Sequence, residues 1–368
     1  VIVDVGPVGH GGICIGHAED GRAVLIRHAL PGERVRVRVT EERSSYLRVD
    51  AVEVLDASPH RVTPPCPWSG PGRCGGCDWQ HVALDEQRRL KASVVSEQLR
   101  RIAGLDVPVV VEAVPGDSDG LGWRTRVRLA VDSDGVAGLR RHRSHEVEAI
   151  GDCLIAHPSL PVASVVGQRW PGNDGVDLVR SDVEHAAGRD WRVPEGGFWQ
   201  VHPGAADALA AAVLEAAQAR PGDVVLDLYA GVGLFAGVLA PVVVPGRVHA
   251  VESDRAAAAA AVGNLPDLPN VSVSAARVER WLARTQPSAD IVVLDPPRKG
   301  AGRAVIDGIA AAGPRRVVHV ACDPASLARD VALLAGHGYA LDGLRAFDLF
   351  PMTAHVECVA TLVRADRS

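Results

Sequence analysis

Along residues 1–56, short β-branched runs alternate with turn signals. Val1–Val5, Gly12–His17, Arg22–Ile26, Glu33–Thr40 and Leu47–Leu55 have the pattern of strands, separated by Pro7-Val-Gly9, Glu19-Asp-Gly21 and Pro31-Gly32. Five short strands predict a small, partly open barrel of the oligonucleotide-binding type. Within it, Val35-Arg36-Val37-Arg38-Val39 alternates strictly, sending valines to one face and arginines to the other. Beyond residue 56 the texture changes to a Gly/Pro-rich loop, a helical periodicity over Glu86–Ala103, and strands again over 121–149, where Trp123-Arg-Thr-Arg-Val-Arg-Leu-Ala alternates basic and apolar. From about Gly196, short apolar strands follow one another at the spacing of a parallel sheet buried on both faces. The expected fold is therefore α/β: an all-β barrel over 1–56, a central α+β domain over 57–195, and a Rossmann-like domain over 196–368.

Composition supports packed globular domains and excludes some classes. No uninterrupted apolar run reaches the length of a membrane span, and the Ala-rich stretches near 205–217 and 256–262 are broken by charge or fit amphipathic helices. The opening Val-Ile-Val-Asp-Val-Gly lacks the basic-then-apolar order of a signal peptide, which predicts a cytoplasmic protein. Seven cysteines, an odd number in a long chain, do not resemble a secreted disulfide framework and are read as ligands, nucleophiles or core. The net charge of −6 would argue against a nucleic-acid partner if charge were evenly spread. It is not: Arg22, Arg27, Arg34, Arg36, Arg38, Arg43 and Arg48 form one basic strip, and Arg124, Arg126, Arg128, Arg140, Arg141 and Arg143 a second. Arginine forks suit phosphate. Glu33, Glu41 and Glu42 make an ordinary solvated face the competing account of the first strip.

Cys66, Cys74 and Cys77 lie in Cys66-Pro-Trp-Ser-Gly-Pro-Gly-Arg-Cys74-Gly-Gly-Cys77, where glycines and prolines leave little to pack. They are expected to be metal or cluster ligands, with Cys153 in Gly151-Asp-Cys-Leu as the fourth. A [4Fe–4S] cluster and a Cys₄ zinc site are both chemically possible at this spacing.

From Val224 the chain reads Val-Val-Leu-Asp227-Leu-Tyr229-Ala-Gly231-Val-Gly233, a buried strand leading through a Gly-rich turn into a helix. It lacks the Gly-Lys-Ser/Thr of a P-loop and does not complete G-x-G-x-x-G. A second strand, Arg247–Val251, ends in Glu252, placed to accept from ribose hydroxyls. That combination suits S-adenosylmethionine better than a dinucleotide. Asp295-Pro-Pro-Arg298, Cys322-Asp-Pro324 and Phe347-Asp-Leu-Phe-Pro-Met-Thr-Ala-His355-Val-Glu357-Cys358 then follow, the first two each after a β-branched strand. On these motifs, together with the leading barrel, the cysteine loop and Gly197-Phe-Trp-Gln200-Val-His, nearly the whole chain resembles the uracil-C5 RNA methyltransferases that act on ribosomal or transfer RNA.

The resemblance implies a class I methyltransferase domain behind a TRAM-type barrel. It implies that Gln200, Tyr229, Gly231, Gly233, Glu252 and Asp295 bind S-adenosylmethionine, that Cys322 is the nucleophile and that Glu357 is the base. Members with the four cysteines carry a [4Fe–4S] cluster, which favours iron–sulfur over zinc, and such members favour ribosomal RNA over transfer RNA as substrate. Leu234 stands where the family often has Asn, and Ala276 or Arg277 where it has a polar acid or amide, so adenine recognition is expected to differ in detail. The Cys66–Cys74 gap is also longer than in the commonest members.

The chemistry needs these groups. Uracil C5 is a poor nucleophile; a thiolate adding to C6 makes it an enolate carbon, and a carboxylate then removes the C5 proton. Cys322 is expected to be appreciably ionised at a polar, partly exposed strand end, and Asp295 to hydrogen-bond the uracil or organise the thiol. The uridine must be flipped out or lie in a loop. A monomer acting on structured RNA, with no membrane role, is expected. The rivals are amino-directed methyltransferases, which need an aromatic residue where Arg298 stands; cytosine-C5 enzymes, which the Cys-Asp-Pro context disfavours; and a non-catalytic iron–sulfur RNA-binding protein, which would need neither Cys322 nor Glu357.

Overall fold

The computed structural model describes residues 1–116, 119–170 and 175–365; the last three residues of the third expected domain lie outside them. The chain divides into two compact units: Val1–Val94, Gly116–Arg180 and Phe350–His355 in the first, and Val95–Pro115, Ser181–Leu349 and Val356–Ser368 in the second.

The first unit opens with β1 (Ile2–Asp4), β2 (Cys14–His17), β3 (Ala23–Arg27), β4 (Arg34–Glu42) and β5 (Tyr46–Asp56), in the order β1-β4-β5-β3-β2. Only β3 and β5 pair in parallel. The chain after β1 closes the sheet on itself: the Gly6 amide donates to Ile15 O and the Ile15 amide to Pro7 O, each at 2.9 Å. A side chain at Gly6 would collide with the Ile15 carbonyl, so the closure needs glycine there. Val35 and Val37 are buried as alternation requires, but Val39 is 44% exposed. The β4–β5 register slips between Val39 and Glu41, which turns the end of the strand over.

Glu33 also departs from expectation. It is not part of a solvated face but buried at 1% exposure, accepting from Arg61 Nε at 2.6 Å and Nη2 at 2.7 Å, and from the Leu30 and Ser58 amides. Burial pushes its carboxyl up, yet the Arg61 and backbone bonds outweigh that and hold it below the usual carboxylate range. The pair ties the segment after β5 back to the barrel.

Next comes α1 (Leu84–Gln98), which passes into a π-helical turn, Leu99–Ala103, stopped by Gly104 at φ 69°. Two fully buried polar side chains of α1 bind residues 350–355 into the first unit. Gln87 donates to Trp79 O and Val82 O and accepts from the Met352 amide, and Lys91 Nζ donates to Phe350 O at 3.1 Å. After β6 (Val111–Ala113), β7 (Arg126–Val131), β8 (Ala137–Arg140), β9 (Val147–Glu148), the short α2 (Val162–Val165) and β10 (Val176–Val179) complete this unit, with sheet order β10-β7-β8-β9.

The second unit contains the hairpin β11 (Val183–Ala186) and β12 (Arg189–Arg192) and an α/β sandwich. Its elements are α3 (Ala205–Ala217), β13 (Val224–Leu228), α4 (Leu234–Val243), β14 (Arg247–Glu252), α5 (Arg255–Asn264), β15 (Val271–Ala275), α6 (Val278–Thr285), β16 (Ile291–Leu294), α7 (Arg303–Ala312), β17 (Arg316–Ala321), α8 (Pro324–Gly336), β18 (Tyr339–Asp348) and β19 (Glu357–Arg364). The sheet order is β15-β14-β13-β16-β17-β19-β18-β6. β13 to β17 are mutually parallel, and β19 runs antiparallel between β17 and β18. The central strands are apolar without alternation, as sequence periodicity predicts for a sheet covered on both faces; Val225, Leu226, Ile291, Val292 and Val317 have no exposed surface. Among the described residues, no helix is long and apolar enough to cross a membrane.

Removing one partner of the Glu33–Arg61 pair leaves an uncompensated buried charge, which typically costs about 3–5 kcal/mol. Arg61→Ala is therefore expected to lower the urea midpoint of the first unit's unfolding by that equivalent, while Arg36→Ala, whose ion pair with Glu53 is exposed, changes it by less than about 1 kcal/mol.

Candidate active site

In an open α/β sheet the carboxyl ends of the parallel strands line the crevice where ligands bind, and the second unit places its chemistry there. β13 ends at Asp227-Leu228, and the chain turns through Tyr229 at φ 63°, Gly231 at φ 55° and Gly233 at φ 96° before α4 begins. Gly233 favours glycine because its φ of 96° strains any residue with a Cβ, and a Cβ there would also press on Leu265 Cδ1. Asp227 is buried and accepts from the Ala236 amide at 2.8 Å, fixing the helix to the strand; burial, with Asp295 and Glu252 nearby, pushes its carboxyl up to about 7.

Glu252, at the end of the adjacent β14, closes the turn. Its Oε2 accepts from the Gly231 amide at 2.9 Å and its Oε1 from the Asp254 amide at 2.7 Å. The Tyr229 and Ala230 amides meanwhile donate to Val251 O. Tyr229, Gly231, Gly233 and Glu252 thus form one backbone-stitched cradle without a phosphate clamp. Leu234 is buried on α4, so it adds no polar group to the cradle. Gln200 lies partly exposed in the loop between β12 and α3, beside Phe198, which is 71% exposed.

Asp295 follows β16, and Cys322 follows β17 just before Asp323, whose side chain caps α8 by accepting from the Ser326 amide at 2.8 Å. The antiparallel register pairs Val320 with Val359 and Ala321 with Cys358. Cys322 and Glu357 are the residues next beyond that last pair, and they lie close enough for the Glu357 carboxyl to act on the Cys322 thiol. Glu357 is buried at 3% exposure, whereas Cys322 keeps partial access to solvent.

The electrostatics correct one expectation. Cys322 is not poised as a thiolate: burial pushes its thiol up to about 11, Glu357 and Asp295 add to the rise, and Arg298 opposes it. Burial likewise raises Glu357 well above the carboxylate range, Asp295 reinforcing and Arg298 countering, and raises Asp295 to about 7. Desolvation penalises every negative charge here, and the groups penalise one another.

Two contributors were not singled out from sequence. Arg298, noted there only as the residue replacing an aromatic, is the cation acting on both Cys322 and Glu357. Asp330 of α8 accepts from the Ala301 amide at 2.7 Å, the Gly302 amide at 3.1 Å and His319 Nε2 at 3.0 Å. It thereby pins the loop that carries Arg298. Because His319 sits inside a strand that reads as plain core, nothing in the periodicity marks this pair.

The four other cysteines form a separate place in the first unit. Cys66, Cys74, Cys77 and Cys153 line one cavity of about 40 Å³, with Arg124, Arg128 and Gln80 also in its wall. Burial pushes the Cys74 thiol up to about 11 and Cys77 up to about 12, and raises Cys153, which Arg124 partly offsets. The Gly76 amide donates to Cys74 Sγ at 3.5 Å, and Gln80 bonds Cys77. Among the described residues, no three His, Cys, Asp or Glu side chains are grouped to hold a single metal ion; the thiols surround a space instead. Arg124 and Arg128 of the second basic strip border the thiol cavity, while the Arg128 side chain stays 66% exposed and donates to Asp177 at 3.2 Å.

The cradle, the acidic β14 terminus and the strand-end motifs define a class I S-adenosylmethionine-dependent methyltransferase. Residues 1–52 match the TRAM domain family, and residues 282–365 match the tRNA (Uracil-5-)-methyltransferase family. The chain is 46% identical to an "uncharacterized RNA methyltransferase" of Streptomyces avermitilis over 98% of this chain and 97% of that one, and 38% identical to one of Bifidobacterium longum over 96% and 94%. The crystal structure of the Pyrococcus abyssi tRNA (uracil-54, C5)-methyltransferase with S-adenosyl-L-homocysteine superposes with TM-score 0.70 at 22% identity, covering 99% of this chain and 100% of that one, and shares its fold. The chain belongs to the uracil-C5 RNA methyltransferase family.

A thiol raised to about 11 reacts slowly with iodoacetamide at neutral pH, because only the thiolate attacks. In the cofactor-free protein, the Cys322 alkylation rate is expected to climb through pH 9–11. Arg298→Ala should slow alkylation further at each pH, since it removes the one charge lowering that thiol; peptide mass spectrometry reads both.

Proposed function

We propose that this enzyme methylates C5 of one uridine in ribosomal RNA, in the cytoplasm, through a covalent bond between Cys322 and C6 of the base. The observation that supports the reading is that β17 and β19, paired up to Ala321 and Cys358, bring Glu357 near enough to act on the Cys322 thiol. When bound, S-adenosylmethionine supplies an electrophilic methyl group on a positively charged sulfur. The Gly231–Gly233 turn and Glu252 would hold it, Glu252 toward the ribose hydroxyls, with Tyr229, Gln200 and Asp295 completing the binding set. Phe198, two residues from Gln200, offers an exposed ring on which an unstacked base can lie.

Cys322 sulfur adds to C6, which makes C5 nucleophilic. Once C5 carries the methyl group, Glu357 takes the C5 proton in its carboxylate form, the state that burial disfavours and Arg298 favours; the Cys322–C6 bond then breaks and the pyrimidine is restored. Arg298 is the chain's own cation against the negative charge that this sequence develops. Asp295, at about 7, is the group in the set most readily able to receive the thiol proton near neutrality.

The four thiols fit a [4Fe–4S] cluster better than zinc. They line one cavity together, and Arg124 and the Gly76 amide offer a positive charge and an N–H···S contact of the kind that cluster thiolates use. The cluster would be held by Cys66, Cys74, Cys77 and Cys153. No step above passes through it.

Ribosomal RNA is preferred on the analogy that four-cysteine, TRAM-bearing members act there; transfer RNA, named in the matching family's description, is the rival. Cys322→Ala is expected to abolish methyl transfer, and Glu357→Gln to accumulate a covalent RNA adduct visible as a shifted denaturing-gel band; methylation by Cys322→Ala refutes the mechanism. Mass mapping of 5-methyluridine after gene deletion should show loss at one ribosomal site, whereas loss confined to transfer RNA overturns the substrate choice. Anaerobically purified protein should be brown, with about four irons per chain; a colourless zinc protein refutes the cluster.

A further inference from the structure

The hairpin β11–β12 is joined to the cofactor cradle through one carboxamide. Asn264, the last residue of α5, bonds Arg192 of β12 as a neighbouring strand would: the Arg192 amide donates to Asn264 Oδ1 at 3.0 Å, and Asn264 Nδ2 donates to Arg192 O at 3.1 Å. The same nitrogen also donates to Val232 O at 3.1 Å, and Val232 lies between Gly231 and Gly233 in the cradle. A carboxamide with two N–H groups and one bonded oxygen thus spends two of its bonds on the hairpin and one on the turn. The next residue packs the same joint. Leu265 is buried, and it is the nearest neighbour that a Cβ at Gly233 would meet.

From Arg192 the chain runs on to Gln200, and two indoles fix its path. Trp191, without exposed surface, donates from Nε1 to Ala186 O at 2.9 Å across the hairpin, and its ring centroid stands 6.3 Å from that of Trp199. Trp199 is itself buried and directly precedes Gln200. Gly237 of α4 makes room for this pair, since a Cβ there would lie 2.5 Å from Trp191 Cη2. Arg189 secures the hairpin from outside, its Nη2 donating to Asn264 O at 3.0 Å and pairing with Asp267 at 2.6 Å. The hairpin, the two indoles and Gln200 are therefore one packed piece, and the Asn264 side chain bonds both that piece and the Gly-rich turn.

We propose that Asn264 is a positioning residue for the methyl donor: its carboxamide sets the spacing between Gln200 on one side and the Gly231–Gly233 turn on the other, and so the width of the cofactor cleft. The proposal rests on the reading of Gln200 and the turn as cofactor-binding groups. An aspartate of the same shape cannot replace it, because its second oxygen would face the Arg192 and Val232 carbonyls instead of donating to them. A residue that only stabilised the fold would weaken cofactor binding by the same factor whether or not Gln200 is present. A spacer acts only while both walls are there, so its effect fades when Gln200 is removed.

Equilibrium dialysis of the whole protein against labelled S-adenosylmethionine, without RNA, tests this as a double-mutant cycle. Gln200→Ala and Asn264→Ala are each expected to weaken binding roughly fivefold, the loss of about one net hydrogen bond. Together they should weaken it about five- to tenfold, well under the product of roughly twenty-fivefold. Unchanged affinity in Asn264→Ala beside a weakened Gln200→Ala overturns the proposal and leaves the cofactor reading standing. The full product overturns it too, since it marks a role in fold stability alone. No effect of Gln200→Ala removes the cofactor reading of Gln200, and the proposal with it. Asn264→Asp should bind no better than Asn264→Ala; undiminished affinity in Asn264→Asp overturns the task given to the two N–H groups. Should the Asn264 variants fail to fold, Arg189→Gln loosens the same hairpin from α5 with the carboxamide in place. Weakening of about twofold that vanishes in the Gln200→Ala background supports the coupling, and equal weakening in both backgrounds, or none, overturns it.

Discussion

The antiparallel insertion of β19 between β17 and β18 is the constraint on which the reaction site depends. Parallel strands alone would place Asp227, Glu252, Asp295 and Cys322 at one edge of the sheet, each at the end of its own strand. They would offer no second group facing Cys322 at close range. A strand running the other way begins where β17 ends, so its first residue, Glu357, is delivered to that same edge. A shift by one residue in this pairing would turn Glu357 to the opposite face of the sheet. Cys358, Val359 and Ala360, all buried beside it, hold the register by packing.

That geometry has an electrostatic consequence. Burial raises the proton affinity of Cys322, Glu357 and Asp295; Asp295 adds to the rise at both of the others, and Glu357 to that at Cys322. The resting site therefore stores protons, and its chemistry depends on positive charge arriving or being held nearby. Arg298 supplies one fixed charge, kept in place by the loop that Asp330 and the buried His319 secure. A cationic methyl donor supplies the other kind. A thiol raised in this way is slow toward adventitious electrophiles, because thiolate, not thiol, is the reactive form.

Much of this was legible in the chain, for identifiable reasons. The barrel strands were placed within a residue or two because turn signals bracket them, and the Gly-rich turn was recognisable because glycines take two of its positive φ values. Cys322, Asp295 and Glu357 are marked by short motifs at strand ends. What failed were inferences about environment. Glu33 resembles a surface acid until Arg61, 28 residues away, is seen to face it. Val39 follows the alternation until a register slip that no periodicity records. The ionisation of Cys322 was misjudged because burial is a property of three strands together.

The thiol loop shows how a small domain stabilises a segment with almost no hydrophobic content. Between Cys66 and Cys77, only Trp68 offers a large apolar surface, and it packs with Cys74 and Cys153 against the cluster built around Val127, Leu129 and Ile150. Such a loop cannot offset its ordering entropy by burial. It relies on Gln80 accepting from the Cys66 amide and on the backbone bridge from Cys74 to Arg141. Because the second anchor is shared with the turn after β8, the interactions that order the loop are also the ones that fix the place of that turn.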